Sequence, residues 1–102
     1  MEKDNFRNRS YAYEYNNLLK IGDVVFICEK HMQKIATNLE HLTKGEIVQK
    51  LTSSNNHPRG IKVKIKVDKT FKTLAGEKDY AIGRVVYLVD KDNDEILYCD
   101  RD

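Results

Sequence analysis

The segment Ile61-Lys62-Val63-Lys64-Ile65-Lys66-Val67 alternates without a break between β-branched residues and lysines. Successive side chains of a strand point to opposite faces, so this period of two makes one face apolar and the other cationic. A helix, with its period of 3.6, would spread both kinds of residue around the whole cylinder. The chain must therefore build a sheet with one buried side and one wet side.

Other stretches repeat that message less sharply. Val24-Val25-Phe26-Ile27-Cys28 is a short β-branched and aromatic run after the turn signal Gly22-Asp23, as a buried strand requires. A second strand is predicted over Glu46–Leu51, with Gly45 before it, and another over Tyr80–Val89, with Gly83 as a bend or bulge. Lys91-Asp92-Asn93-Asp94 is a turn, and Glu95–Cys99 closes a hairpin. Between strands, Glu29–Thr43 is polar and irregular, with Ile35, Ala36, Leu39 and Leu42 spaced for one helical turn. Thr52–Gly60 is dense in turn residues and holds the single proline, while Lys69–Lys78 is too polar for core. At 102 residues the chain fits one domain. Five or six short strands predict a mainly β fold, a small and strongly bent barrel over residues 21–102. Residues 1–20, polar and then tyrosine-bearing (Tyr11, Tyr13, Tyr15), form an N-terminal arm.

Composition excludes several classes. No stretch approaches the roughly 18 apolar residues of a membrane span. The start MEKDNFRNRS has no apolar core of the kind a signal peptide needs. Two cysteines, Cys28 and Cys99, make no disulfide framework and suit a cytoplasmic protein. Net charge is only +2, but its distribution is uneven. Residues 23–84 carry twelve basic and seven acidic side chains, whereas residues 85–102 carry two and six. A basic centre thus meets an acidic end, which either folds back on the lysine face or leaves it open.

Leu42-Thr43-Lys44-Gly45, Ile47-Val48, Leu51-Thr52 and His57-Pro58-x-Gly60-Ile61-Lys62-Val63-Lys64 together resemble the YwbE-like family of small bacterial proteins. Gly22-Asp23-Val24 and Ile82-Gly83-Arg84-Val85 add weaker matches, and the likeness spans about residues 20–86. The resemblance implies an SH3-like or KOW-type small barrel in the bacterial cytoplasm, with no established activity. KOW-type likeness points by analogy to RNA or the ribosome. The chain departs from the family in its tyrosine-bearing start, its polar 69–78 loop, its acidic hairpin and Arg59, which stands where a second histidine is usual.

Two features carry chemistry. Pro58 fixes its own φ and holds His57 extended, so the loop presents His57 and Arg59 rigidly, Arg59 being suited to bidentate phosphate contact. The plainer reading is a tight strand connection with His57 bonded to nearby backbone. Lys62, Lys64 and Lys66 lie about 6.6 Å apart on one strand face, close to the phosphate spacing of an extended single strand. Arg59, Lys69, Lys72 and Arg84 can enlarge that patch, although outward lysines also keep an ordinary strand soluble. The expected nucleic-acid-binding set is His57, Arg59, Lys62, Lys64, Lys66 and Arg84, with Tyr11 or Tyr13 stacking on bases. A protein partner or a second copy, docked by charge or by strand addition at an open edge, is the alternative. Neither metal nor cofactor is expected: Cys28 and His31 have no partner pair at finger-like spacing, and Asp90-x-Asp92-x-Asp94-Glu95 lacks the glycine and terminal glutamate of a calcium loop. With no nucleophile elbow, P-loop or dinucleotide fingerprint, an enzyme is not expected.

Overall fold

The structure, a computed structural model, describes residues 19–54 and 60–97. His57, Arg59, the tyrosines of the arm and Cys99 lie outside those residues. Five strands occur: β1 (Val24–Glu29), β2 (Thr43–Lys50), β3 (Lys62–Val67), β4 (Tyr80–Asp90) and β5 (Glu95–Leu97). All neighbours are antiparallel in the order β1-β2-β3-β4-β5, and β1 also pairs with β4. That last pairing closes the first four strands into a barrel. The mainly β expectation holds, with β5 added as an extra strand at the end of β4.

β4 makes closure possible. Its first half pairs with β3, Gly83–Val89 pairs with β1, and Leu88–Asp90 pairs with β5. Opposite β1 the register passes from Phe26–Tyr87 to Ile27–Val85, leaving Val86 as an extra residue. In β2 the register passes from Ile47–Ile65 to Gln49–Lys64, with Val48 extra. Each such bulge bends its strand and tightens the local twist. The sequence placed a bulge at Gly83, but it falls at Val86, and Gly83 serves a different purpose. A Cβ there would lie 2.5 Å from the Cys28 carbonyl oxygen, so β1 and β4 approach too closely for any side chain.

Gly45 acts likewise inside β2, where a Cβ would meet the Lys66 carbonyl oxygen at 2.3 Å. It is therefore a strand residue, and β2 starts earlier than the predicted Glu46. Val25, Ile27, Ile47, Val63, Ile65 and Val85 fill the interior, with Leu19 buried among them from the end of the arm. A second layer lies on the other side of β1: Phe26 meets Phe71 edge-on at 5.0 Å and Tyr87 at 6.5 Å. Phe71 and buried Ala75 tie the polar 69–78 loop into the fold despite its composition. The 30–42 segment holds two single 3₁₀ turns, Lys30–Met32 and Leu39–His41, in place of one helical turn.

Gly45→Ala should cost about 2–3 kcal/mol by forcing β2 from β3, read as a lowered urea midpoint. Unchanged stability would show that the two strands can separate at no cost.

Candidate functional site

Because Val63 and Ile65 are buried in the barrel, Lys62, Lys64 and Lys66 must face outward, as the alternation required. The register sets their neighbours. Lys62 stands opposite Arg84, Lys64 opposite Gln49 and Ile82, and Lys66 opposite Glu46 and Tyr80. The ammonium of Lys64 lies 5.1 Å from the centre of the Tyr80 ring, a diagonal cation–π contact. Tyr80 is 50% exposed, Ile82 45% and Val48 40%. The outer face of β2-β3-β4 thus combines four cations, one facing carboxylate and three exposed apolar or aromatic side chains. Tyr80 and Ile82 escaped sequence reasoning, although their odd–even spacing with Arg84 on β4 carried the signal.

Arg84 joins the lysines as expected, and its guanidinium donates to the Gly60 carbonyl at 3.4 Å. Gly60 itself (φ 101°) packs where a Cβ would strike the Val85 carbonyl at 2.4 Å. The loop that carries His57 and Arg59 is held at its foot by Leu51 N–H to the Lys62 carbonyl, 2.9 Å, and Lys62 N–H to Thr52 Oγ1, 2.7 Å. Lys69 and Lys72 lie elsewhere, lining a cavity of about 200 Å³ inside the 67–78 segment. There Lys69 pairs with Asp79, whose carboxyl is held below the usual range by that hydrogen bond and charge.

The acidic turn does not pair with the lysine face. Asp94 pairs with Lys44 at 2.9 Å, and Lys91 donates to the Gly22 carbonyl at 2.9 Å. Lys44 also lies 3.8 Å from Asp68 and 5.9 Å from the Phe26 ring, so the described part of the acidic hairpin is anchored beside β1. Closure also limits strand addition: among the described strands only the three-residue β5 has a neighbour on one side alone.

A buried polar cluster closes one end of the barrel. Glu29, 5% exposed, accepts from Thr43 Oγ1 at 2.6 Å and from Lys78 Nζ at 2.7 Å. Two charge-assisted bonds satisfy both carboxylate oxygens, which offsets the cost of burying the charge. His31 Nε2 lies 3.0 Å from the Ala75 carbonyl and Cys28 is buried and free, so neither is arranged as a ligand. Among the described residues no group of three or more His, Cys, Asp or Glu is placed to hold a metal, and no helix is long and apolar enough to cross a membrane.

The family model described as Uncharacterized conserved protein (DUF2196) matches residues 13–69. The chain belongs to this family. No curated protein and no solved structure matches it. The DUF2196 match takes in β1, β2 and β3, so the lysine strand is inside the family's own region, whereas Tyr80, Ile82 and Arg84 come from β4 beyond it.

Burial, and secondarily the Glu29 charge, push the Cys28 thiol up to about 11 from an ordinary value near 9.0. A thiol raised in the fold stabilises it below the unfolded pKa, and that contribution is lost as pH climbs through the folded one. Stability should therefore drop by about 2–3 kcal/mol between about pH 9 and pH 11, and Cys28→Ala should flatten this part of the profile. An identical slope in the variant would assign the loss to other groups.

Proposed function

We propose that this DUF2196 protein is a cytoplasmic nucleic-acid-binding module, for single-stranded RNA, alone or on the ribosome, and that it binds without catalysis. One observation carries the reading: Lys62, Lys64, Lys66 and Arg84 share an outer face with the exposed ring of Tyr80. Cations at strand spacing neutralise successive phosphates, and an exposed ring beside them offers a base a stacking partner. Sequence-tolerant binding follows, because stacking accepts every base and phosphates carry no sequence. His57 and Arg59, joined to this face through Gly60, extend the contact in the same reading. The resemblance of residues 20–86 to the YwbE-like family, which implies an SH3-like or KOW-type barrel, agrees with it by analogy.

Four phosphate contacts on a single strand set a salt slope of about −2.8, so affinity should fall about 50-fold between about 50 and 200 mM salt. Amide NMR titration with a short oligoribonucleotide reads both the slope and the surface. Shifts confined to residues 46–49, 60–66 and 80–84 are expected. Tyr80→Ala should weaken binding by about 1–3 kcal/mol at unchanged stability. Salt-independent binding, or a response in the acidic turn alone, would sink the proposal. A salt-sensitive dimer without RNA, seen by light scattering, would favour pairing of the lysine face with the acidic turn of a second copy.

A further inference from the structure

The cavity of the β3–β4 loop is chemically unlike the open lysine face. Its lining includes two apolar side chains, Val67 and Phe71. That ring is pinned edge-on against Phe26, at 79° between planes, so its orientation is fixed before any ligand arrives. The lining also includes three lysines, Lys69, Lys72 and Lys78. Two of those ammonium groups are preset: Lys69 donates to Asp79 and Lys78 to buried Glu29. An ammonium has three donors, so each keeps two for a ligand after that bond. Lys72 is exposed and has no ion pair with a described residue. Gly76, at φ 115°, also lines the cavity, and Lys78 Nζ lies 4.0 Å from where its Cβ would be. Glu77 adds one carboxylate acceptor at the rim.

We infer that this cavity binds a nucleoside monophosphate, as the free nucleotide or as the phosphorylated end of an RNA chain. The Phe71 ring takes the planar base, the three ammonium groups take the phosphate, and Glu77 accepts from an exocyclic amine. A phosphate monoester brings close to two negative charges and three acceptor oxygens, which suits several separate donors better than a planar carboxylate does. The volume of about 200 Å³ also falls below the roughly 300–1,000 Å³ of drug-sized sites, which limits the occupant to a single nucleotide. Val67 ends the strand that carries the lysines, with its side chain on the face opposite Lys66, and the phosphorylated end of an RNA chain is the second source of the same group. That second source rests on the nucleic-acid reading above; the free nucleotide does not.

The test is an amide NMR titration with adenosine monophosphate up to about 10 mM, ten times a dissociation constant of about 1 mM. Adenosine and inorganic phosphate serve as separate controls. Saturable shifts in residues 67–78, absent from 62–66 and weaker with either control, are expected. Lys72→Ala, a substitution at an exposed loop position, should weaken the nucleotide about tenfold, the worth of a bond to a charged group. A second arm compares 5′-phosphorylated and 5′-hydroxyl oligoribonucleotides, where a preference for phosphate that Lys72→Ala removes assigns the site to RNA ends. Phosphate matching the nucleotide in affinity would overturn the role of the Phe71 wall. Unmoved 67–78 amides with nucleotide and with both oligonucleotides would overturn the site, while shifts at 60–66 in the same samples would leave the lysine face standing. Nucleotide binding with no oligonucleotide binding would do the reverse.

Discussion

Everything in this fold hangs on β4 meeting both β3 and β1. A four-stranded sheet closes only if its strands coil sharply, and a long strand must bend to reach two neighbours and then a third. Val86 supplies the bend by adding one residue opposite β1, and Val48 does the same in β2. Gly83 and Gly45 let backbones approach at distances no Cβ would allow. With closure, the first four strands lose their open edges, the six main interior side chains meet, and the lysines of β3 are left with only one direction to face.

The polar loops gain their order from the same closed frame. Glu29 stands at the end of β1, where burial would otherwise leave its carboxylate unpaired, and Thr43 and Lys78 satisfy it from two other segments. Phe71 adds an apolar anchor against Phe26, and Thr73 Oγ1 reaches the Glu40 carbonyl at 3.2 Å. A loop with one anchored aromatic ring and two preset ammonium groups holds its shape around a cavity, which a purely solvated loop of the same composition would not. The structure therefore carries two different electrostatic surfaces. One is an open strand face of four cations, and the other a small recess in which carboxylates cancel much of the lysine charge.

Much of this was legible beforehand. The alternation at Ile61–Val67 placed three lysines on one face, and turn chemistry at Gly22-Asp23 and Lys91–Asp94 marked two of the connections where they occur. Arg84 belongs to the set expected from the sequence, and it lies beside Lys62. Less visible were the partners that cross the sheet. Tyr80 and Ile82 looked like ordinary strand residues, because nothing local says which column of a sheet will stand beside another. The sequence leaves open whether the acidic end covers the lysine face; in the structure Asp94 pairs with Lys44, a lysine that its own strand pattern does not distinguish. Composition misjudged the 69–78 loop, since Phe71 and Ala75 are two apolar residues among many polar ones and their contacts lie far away in the chain.

The sequence by itself determined the mainly β character, the face of β3 that is wet, and the sign of the charge on it. Each follows from local chemistry: side-chain alternation, β-branching and turn residues act over a few positions. Tertiary structure alone decided the β1–β4 closure, the placing of the bulges at Val48 and Val86, the Tyr80–Lys64 contact and the recess behind Phe71. Those depend on register between strands distant in sequence, and a shift of one residue would send every side chain of a strand to the opposite face.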